Sequence, residues 1–202
     1  MKKLLLIAAA AMLMTGSASA QRKSAKSQGN APLHRTCGTG ILPDDYENWM
    51  SAKIQEDAVK NQGSRIKTIY NLPVVVHVIH NGSAVGTSYN LSDAQILSQI
   101  AVLNEDYRKL NADTSLIPSV FSSLAADCEI TFCLAQTDPN GQPTNGIDRI
   151  NRTTKGWTAP PFAQTYVDAT IKPNSIWDVN KYLNIWVCPL SGGLLGYATF
   201  PP

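Results

Sequence analysis

Two histidines are the residues in this sequence whose type and spacing come closest to a metal site. His77 and His80 stand three apart within residues 72–80, a nearly continuous β-branched run that predicts a buried strand. Residues three apart on a strand point to opposite faces, so one zinc ion cannot easily bind both rings. A zinc pair normally uses histidines four apart on a helix. We therefore predict that both are ordinary strand histidines.

The common catalytic motifs are missing from the sequence. It contains no H-E-x-x-H, no G-x-S-x-G, no Walker loop and no G-x-G-x-x-G. The adjacent acids Asp44 and Asp45, and likewise Glu105 and Asp106, have ordinary explanations as helix-surface residues. Residues 151–153 fit the glycosylation pattern, which needs a eukaryotic secretory route. By themselves these residues form no complete active site.

The four cysteines leave several pairings open. The absence of a C-x-x-C pair argues against a thioredoxin-like or zinc-ribbon protein. Cys128 and Cys133 should not pair, because five residues of strand separate them by about 16 Å and a disulfide tolerates ~7 Å. Cys133 and Cys188 lie on neighbouring predicted strands and either pair or stay thiols. Cys37 lies outside the predicted sheet beside Gly38, and a disulfide from it to Cys128 or Cys188 is one alternative.

Composition and the N-terminus indicate an exported globular protein. The chain has 17 Lys and Arg residues against 15 Asp and Glu, and Lys2 and Lys3 supply the excess. The rest of the chain is therefore neutral, which argues against nucleic acid as a partner. Those lysines precede an apolar run over residues 4–14 and an A-x-A site ending at Ala20. This run is too short for a membrane span of ~20 residues. We expect cleavage between Ala20 and Gln21, no membrane association after signal removal, and a secreted or periplasmic/extracellular location where disulfides persist.

The remaining pattern predicts an α/β protein. A helix over residues 93–110 begins with Ser92 and Gln95 in a capping box, with apolar residues every three or four positions as far as Leu110. Alternating or continuous apolar runs predict strands that we expect in one twisted mixed sheet, backed by that helix. An acidic start at residue 44 predicts an earlier helix that is either a core element or a detachable segment. Residues 157–180 have no clear period and predict an irregular loop. The predicted strands are 72–80, 129–135, 182–188 and 195–200, with a short one within 146–151.

Blocks spread from residue 37 to the end carry a family resemblance. Together they resemble the pappalysin family of secreted zinc metallopeptidases, in the metzincin clan, and the bacterial ulilysin-like or cytophagalysin branch fits best. The blocks are residues 37–39, 72–82, 91–96, 103–108, 138–141, 144–147, 181–188 and 193–198.

The resemblance implies a fold and an organisation. In that family H-E-x-x-H-x-x-G-x-x-H follows the last of these strands; its histidines hold zinc and its glutamate is the general base. We therefore expect a signal peptide at 1–20, a leader and pro-segment at 21–64, and the upper metzincin subdomain at 65–202. The chain is expected to be truncated before the zinc-binding helix. Zinc is the cofactor of the full-length family, and we expect none at the catalytic position of this chain, which should be inactive as it stands.

The resemblance also implies roles for particular residues. Cys37 matches the pro-segment thiol that fills the open zinc position and keeps the enzyme latent. The bond between Ser64 and Arg65 is the expected self-processing site. A peptide or protein substrate would lie along an edge strand made of Leu194, Leu195, Gly196, Tyr197, Ala198 and Thr199. The alternatives are a non-catalytic secreted module that binds peptides on this strand, or a decayed remnant.

Overall fold

A computed structural model describes residues 36–39, 44–60 and 68–199 of the chain. Its central strand is β2, Tyr70–His80, and this strand carries most of the core. Because both faces of β2 are covered, its middle residues are almost all apolar and β-branched, which confirms the predicted buried strand. The fully or almost fully buried members of the run are Val74, Val75, Val76, Val78 and Ile79.

Three further strands run parallel to β2 and complete the main sheet. They are β3 (Ile130–Leu134), β4 (Ile147–Asn151) and β5 (Leu183–Val187), close to the predicted ranges. Residues 70–74 of β2 pair with β3, residues 76–80 pair with β4, and residues 74–78 pair with β5. Since residues 74 and 76 each have a partner on both sides, β3 and β4 follow one another along one edge of β2 and β5 occupies the other.

The long helix backs this sheet, as the sequence predicts. It is α2, Asp93–Tyr107, and its cap is Ser92, whose side-chain oxygen accepts a hydrogen bond from the Gln95 amide at 3.2 Å. Ile96 and Ile100 face the sheet core. The helix ends three residues before the predicted Leu110, which is 72% exposed.

The early end of α2 has a local cause. Lys109 has a φ of 54°, and this left-handed conformation ends the helical hydrogen-bond pattern. Before that point Asn104 ties the helix to the sheet: its side-chain amide donates to the carbonyl oxygen of Phe132, and its side-chain oxygen accepts from the amide of the same residue. The helix therefore covers both the face of the sheet and the outer edge of β3.

The first helix is not a core element. It is α1, Asp44–Lys60, and none of its residues is buried. Its predicted apolar face is largely exposed, since Trp49 is 53% and Ile54 63% accessible. No helix in the described part of the chain is long and apolar enough to cross a membrane.

The predicted irregular loop at residues 157–180 is wrong in its central part. It contains a helical segment, α3, in which an α-helical turn at Gln164–Tyr166 continues as a π-helix at Val167–Ile171. The wider π turn breaks the 3.6-residue spacing, so the apolar pattern in the sequence does not predict a helix. Residues of this segment pack with residues of the sheet in a second core cluster. Its buried members are Ile79, Ile150, Trp157, Phe162, Val167 and Ile171.

The last predicted strand also differs from expectation. Residues 195–200 were predicted to join the main sheet, but the strand is β6, Leu194–Gly196, and it pairs with β1, Thr36–Cys37, in a separate two-stranded sheet. Gly192 and Gly193 precede β6 with φ values of 71° and 74°, a conformation that redirects the chain away from β5.

Candidate peptide-binding site

A short extended segment lies along β6 and is joined to it by backbone hydrogen bonds. Thr36 and Cys37 pair in parallel with Leu194 and Gly196. The amide of Gly38 donates to the carbonyl oxygen of Gly196 at 2.9 Å. The structure therefore brings the backbone of the predicted latch segment onto the predicted substrate strand.

The contact continues one residue beyond the ladder. The amide of Ala198 donates to the side-chain oxygen of Thr39 at 3.1 Å. Residues 196 and 198 thus both offer backbone groups to the segment at residues 36–39, as alternate residues of a strand do. We name this segment and residues 194–198 together the edge site.

Gly38 lies close against the side chains of Leu194 and Tyr197. A Cβ atom at this position would lie 2.7 Å from Leu194 Cδ1 and 3.3 Å from Tyr197 Cβ. The first distance is too short for any ordinary contact, so a side chain at position 38 would push Leu194 aside. The glycine beside Cys37 therefore has a packing reason, independent of any role of the thiol.

Tyr197 fixes the edge site to the helical segment α3. Its hydroxyl donates to Asp168 Oδ1 at 2.8 Å, and Lys172 Nζ lies 2.7 Å from the same oxygen. The Lys172 ammonium also lies 4.2 Å from the centre of the Tyr197 ring, within range of a cation–π interaction. A second aromatic ring, that of Trp186 on β5, lies 5.6 Å from the same ammonium.

This cluster shifts the pKa values of its members in opposite directions. Burial raises the pKa of the Tyr197 phenol, and its hydrogen bond to the Asp168 carboxylate raises it further. Burial opposes ionisation of Asp168, but the hydrogen bonds from Lys172 and Tyr197 outweigh it and hold the pKa of Asp168 below its usual range. At neutral pH the cluster is therefore a neutral phenol between a carboxylate and an ammonium.

The sequence indicates Tyr197 through the family resemblance but does not point to Asp168 and Lys172. The one available signal is their spacing of four residues, which is that of a helical ion pair. This spacing does not stand out, because the surrounding residues have no helical period. The sequence-predicted processing residues Ala20, Gln21, Ser64 and Arg65 lie outside the described residues.

The histidines make separate structural contacts, as predicted. The ring of His77 is fully buried, with Nδ1 2.8 Å from Asp148 Oδ2 and Nε2 2.9 Å from Asn184 Oδ1. It also stacks on Trp186 with the ring centres 5.1 Å apart. The Nδ1 atom of His80 accepts a hydrogen bond from the Gly82 amide at 3.0 Å. Both His77 ring nitrogens are therefore already bonded.

The donor groups in the described residues do not fit a catalytic zinc ion. Such an ion takes three protein ligands, and residues 36–39, 44–60 and 68–199 contain no group of three His, Cys, Asp or Glu side chains that could hold a metal. No catalytic step through zinc follows from these residues.

Three cysteines of the described residues are thiols. Cys128, Cys133 and Cys188 are free, which confirms that the first two do not pair with each other and decides the open question of Cys133 and Cys188 in favour of thiols. Burial raises the pKa of the Cys188 thiol to about 11, so it is protonated and unreactive at neutral pH.

Comparison with solved structures places this α/β fold among those of metallopeptidase-related proteins of the metzincin type. Mirolysin is among the proteins whose solved structures match. A complex of mirolysin with a compound, and Tannerella forsythia mature mirolysin with a cleaved peptide, each match at 46% identity with a TM-score of 0.56, covering 66% of this chain and 47% of theirs.

Tannerella forsythia promirolysin matches a longer stretch. It is 41% identical with a TM-score of 0.60, and the match covers 83% of this chain and 54% of that one. The chain therefore spans about half the length of the mirolysin chains it matches. No family model matches the chain, and a search of curated proteins finds no match.

Proposed function

We propose that this chain is the substrate-binding part of a secreted zinc endopeptidase, with β6 as the strand that holds an extended peptide or protein substrate. The single observation that carries this is the edge site: a segment of the chain itself already lies on β6 in an extended conformation through backbone hydrogen bonds. Backbone pairing of this kind is how proteins bind peptides on a free strand edge. The proposed substrate-binding residues are Leu194, Leu195, Gly196, Tyr197, Ala198 and Thr199.

The zinc ligands of this proposed enzyme come from sequence other than these 202 residues. The whole sequence has three histidines and no H-E-x-x-H, and its solved relatives are about twice the matched length. We therefore propose that the chain on its own binds no catalytic zinc and does not hydrolyse peptide bonds. The proposed boundaries stay 1–20 for the signal peptide, 21–64 for the leader and pro-segment, and 65–202 for the catalytic part.

Cys37 is proposed as the latch of the latent enzyme. Support comes from its position in the edge site, since its backbone pairs with Gly196. Cleavage between Ser64 and Arg65 would then release the segment and open β6. Mass spectrometry of the intact zymogen tests this, because a disulfide at Cys37 would contradict a free thiol directed at zinc.

Metal analysis of the purified chain tests the proposed division of labour. We expect substoichiometric zinc and no cleavage of casein or gelatin. One equivalent of zinc together with chelator-sensitive cleavage would show that the chain holds an active site of its own.

A non-catalytic peptide-binding module is the second candidate function, and the edge site favours it equally. The two functions differ in what accompanies binding. A binding module should hold peptides as a complete protein, whereas the proposed enzyme gains hydrolysis once the zinc-binding part is present.

A further inference from the structure

We propose that Asp168 and Lys172 form a clamp on Tyr197 that positions β6 for peptide binding. This inference rests on the proposed function of β6. It assigns a positioning role to Asp168 of α3 and to Lys172, which directly follows α3; both lie outside the strand itself.

The strand needs an anchor because it has little support of its own. β6 is only 3 residues long, and β1 is its ladder partner among the described strands. Gly192 and Gly193 precede it, and both have the positive φ values at which glycine costs least. Once residues 36–39 leave, the backbone ladder that holds β6 is gone and its position depends on side-chain contacts.

The clamp is built on a rigid base. Val167 directly precedes Asp168 and Ile171 directly precedes Lys172, and these two apolar residues are 2% and 0% exposed. Asp168 and Lys172 are one helical turn apart and form an ion pair at 2.7 Å. The base is further fixed to β5, since Trp186 Nε1 donates to Ser175 Oγ at 2.9 Å just beyond α3.

The clamp acts at the position that leaves the peptide-facing groups free. Gly196 and Ala198, on either side of Tyr197, carry the backbone groups that bond to Gly38 and Thr39. The backbone groups of alternate strand residues point to the same edge, so those of Tyr197 point to the other. Fixing the Tyr197 side chain therefore fixes the positions of Gly196 and Ala198. The contact leaves the backbone edge that we propose to bind peptide unoccupied.

Hydrogen exchange on the full chain tests the clamp. Tyr197→Phe removes the hydroxyl and keeps the ring, and Asp168→Asn removes the charge. We expect amide exchange over residues 194–199 and 36–39 to quicken about ten-fold in both variants, as the loss of one hydrogen bond predicts. Tyr166→Phe is the matched control, because the Tyr166 hydroxyl accepts a hydrogen bond from the Thr158 amide away from β6. Equal exchange in wild type and both clamp variants would overturn the proposal, as would an equal rise in the control.

A spectroscopic measurement distinguishes loss of the contact between Tyr197 and Asp168 from a general loss of stability. With ¹³Cζ-labelled tyrosine, Asp168→Asn should lower the pKa of Tyr197, because the hydrogen bond to a carboxylate that helps to raise it is lost. Lys172→Arg should keep the slow exchange, and Lys172→Met should lose it. A Tyr197 titration that ignores Asp168 would contradict the clamp.

Peptide binding distinguishes failure of the clamp from failure of the proposed function. The Gly38→Pro chain, which lacks the hydrogen bond from the Gly38 amide to Gly196, is probed with a labelled synthetic peptide of residues 34–40. We expect binding in Gly38→Pro and about ten-fold weaker binding when Tyr197→Phe is added. Equal binding by the two overturns the clamp. No binding by either overturns the proposed function of β6, and the exchange experiment then decides whether the clamp still positions the strand.

Discussion

The amide nitrogen of Gly38 lies 2.9 Å from the carbonyl oxygen of Gly196 and donates a hydrogen bond to it. This bond joins a segment before the first helix to the last strand of the described chain. An extended backbone of the chain itself therefore pairs with the edge of β6 that we propose to bind peptide.

Replacing Gly38 with proline should loosen the segment on β6. Proline has no amide hydrogen, so the bond that Gly38 donates to the Gly196 carbonyl oxygen is lost. We expect faster hydrogen exchange at residues 36–39 and little change in the melting temperature, because the main core is untouched. Gly196→Ala is the control, since a Cβ at that position meets nothing within 4 Å. Equal protection in the two variants would contradict the backbone pairing.

Removing the buried imidazole should destabilise the whole fold. His77 is fully buried and bridges Asp148 on β4 and Asn184 on β5, so His77→Ala leaves a cavity and breaks both contacts. We expect a loss of about 3–5 kcal/mol in the free energy of unfolding, measured by urea titration. His80→Ala should cost about 1 kcal/mol, because that ring makes one bond to a turn. A His77 variant as stable as the His80 variant would rule out a structural role.

Acid should weaken the contact between Tyr197 and α3. The pKa of Asp168 is lowered in the folded state, so its contribution to stability is complete above the unfolded value of about 3.9 and is lost as the pH falls through the folded value. Urea titrations between pH 2.5 and 5 should therefore show a steeper acid loss in wild type than in Asp168→Asn. The same dependence of unfolding free energy on pH in both proteins would contradict a contribution from the ionised Asp168.

The described thiols should react with iodoacetamide at different rates. Cys128 and Cys133 are exposed, whereas burial raises the pKa of Cys188 to about 11. At pH 8 only about one in a thousand Cys188 side chains is then a thiolate, the reactive form. Mass spectrometry of the native protein should find the first two alkylated and Cys188 intact. Alkylation of Cys188 at the same rate would show that this side of the second core opens readily.

Local sequence signals predict the main sheet and its helix well. The valine run of β2, the alternation in β3 and β5, and Ser92 at the start of α2 each act over a few residues, and the fold uses each as predicted. The two-stranded sheet of β1 and β6, and the contacts of α3 with Tyr197, could not be predicted in this way. Pairing of Cys37 with Gly196 joins residues far apart in the chain, and the π turn of α3 hides the spacing of Asp168 and Lys172.

The resemblance addresses a feature that local patterns cannot indicate. It implies that residues 194–199 bind an extended substrate, and this role stays a prediction; the structure pairs residues 194–196 with an extended segment of the chain itself. It said nothing of the anchor beneath this strand, because Asp168 and Lys172 lie outside the blocks that carry the resemblance.

We propose above that these residues form the substrate-binding part of a zinc endopeptidase. Sequencing the gene past the codon for Pro202 tests this proposal. We predict an in-frame continuation that encodes H-E-x-x-H-x-x-G-x-x-H shortly after β6. A stop codon directly after Pro202 would contradict the claim and leave a peptide-binding module without catalysis.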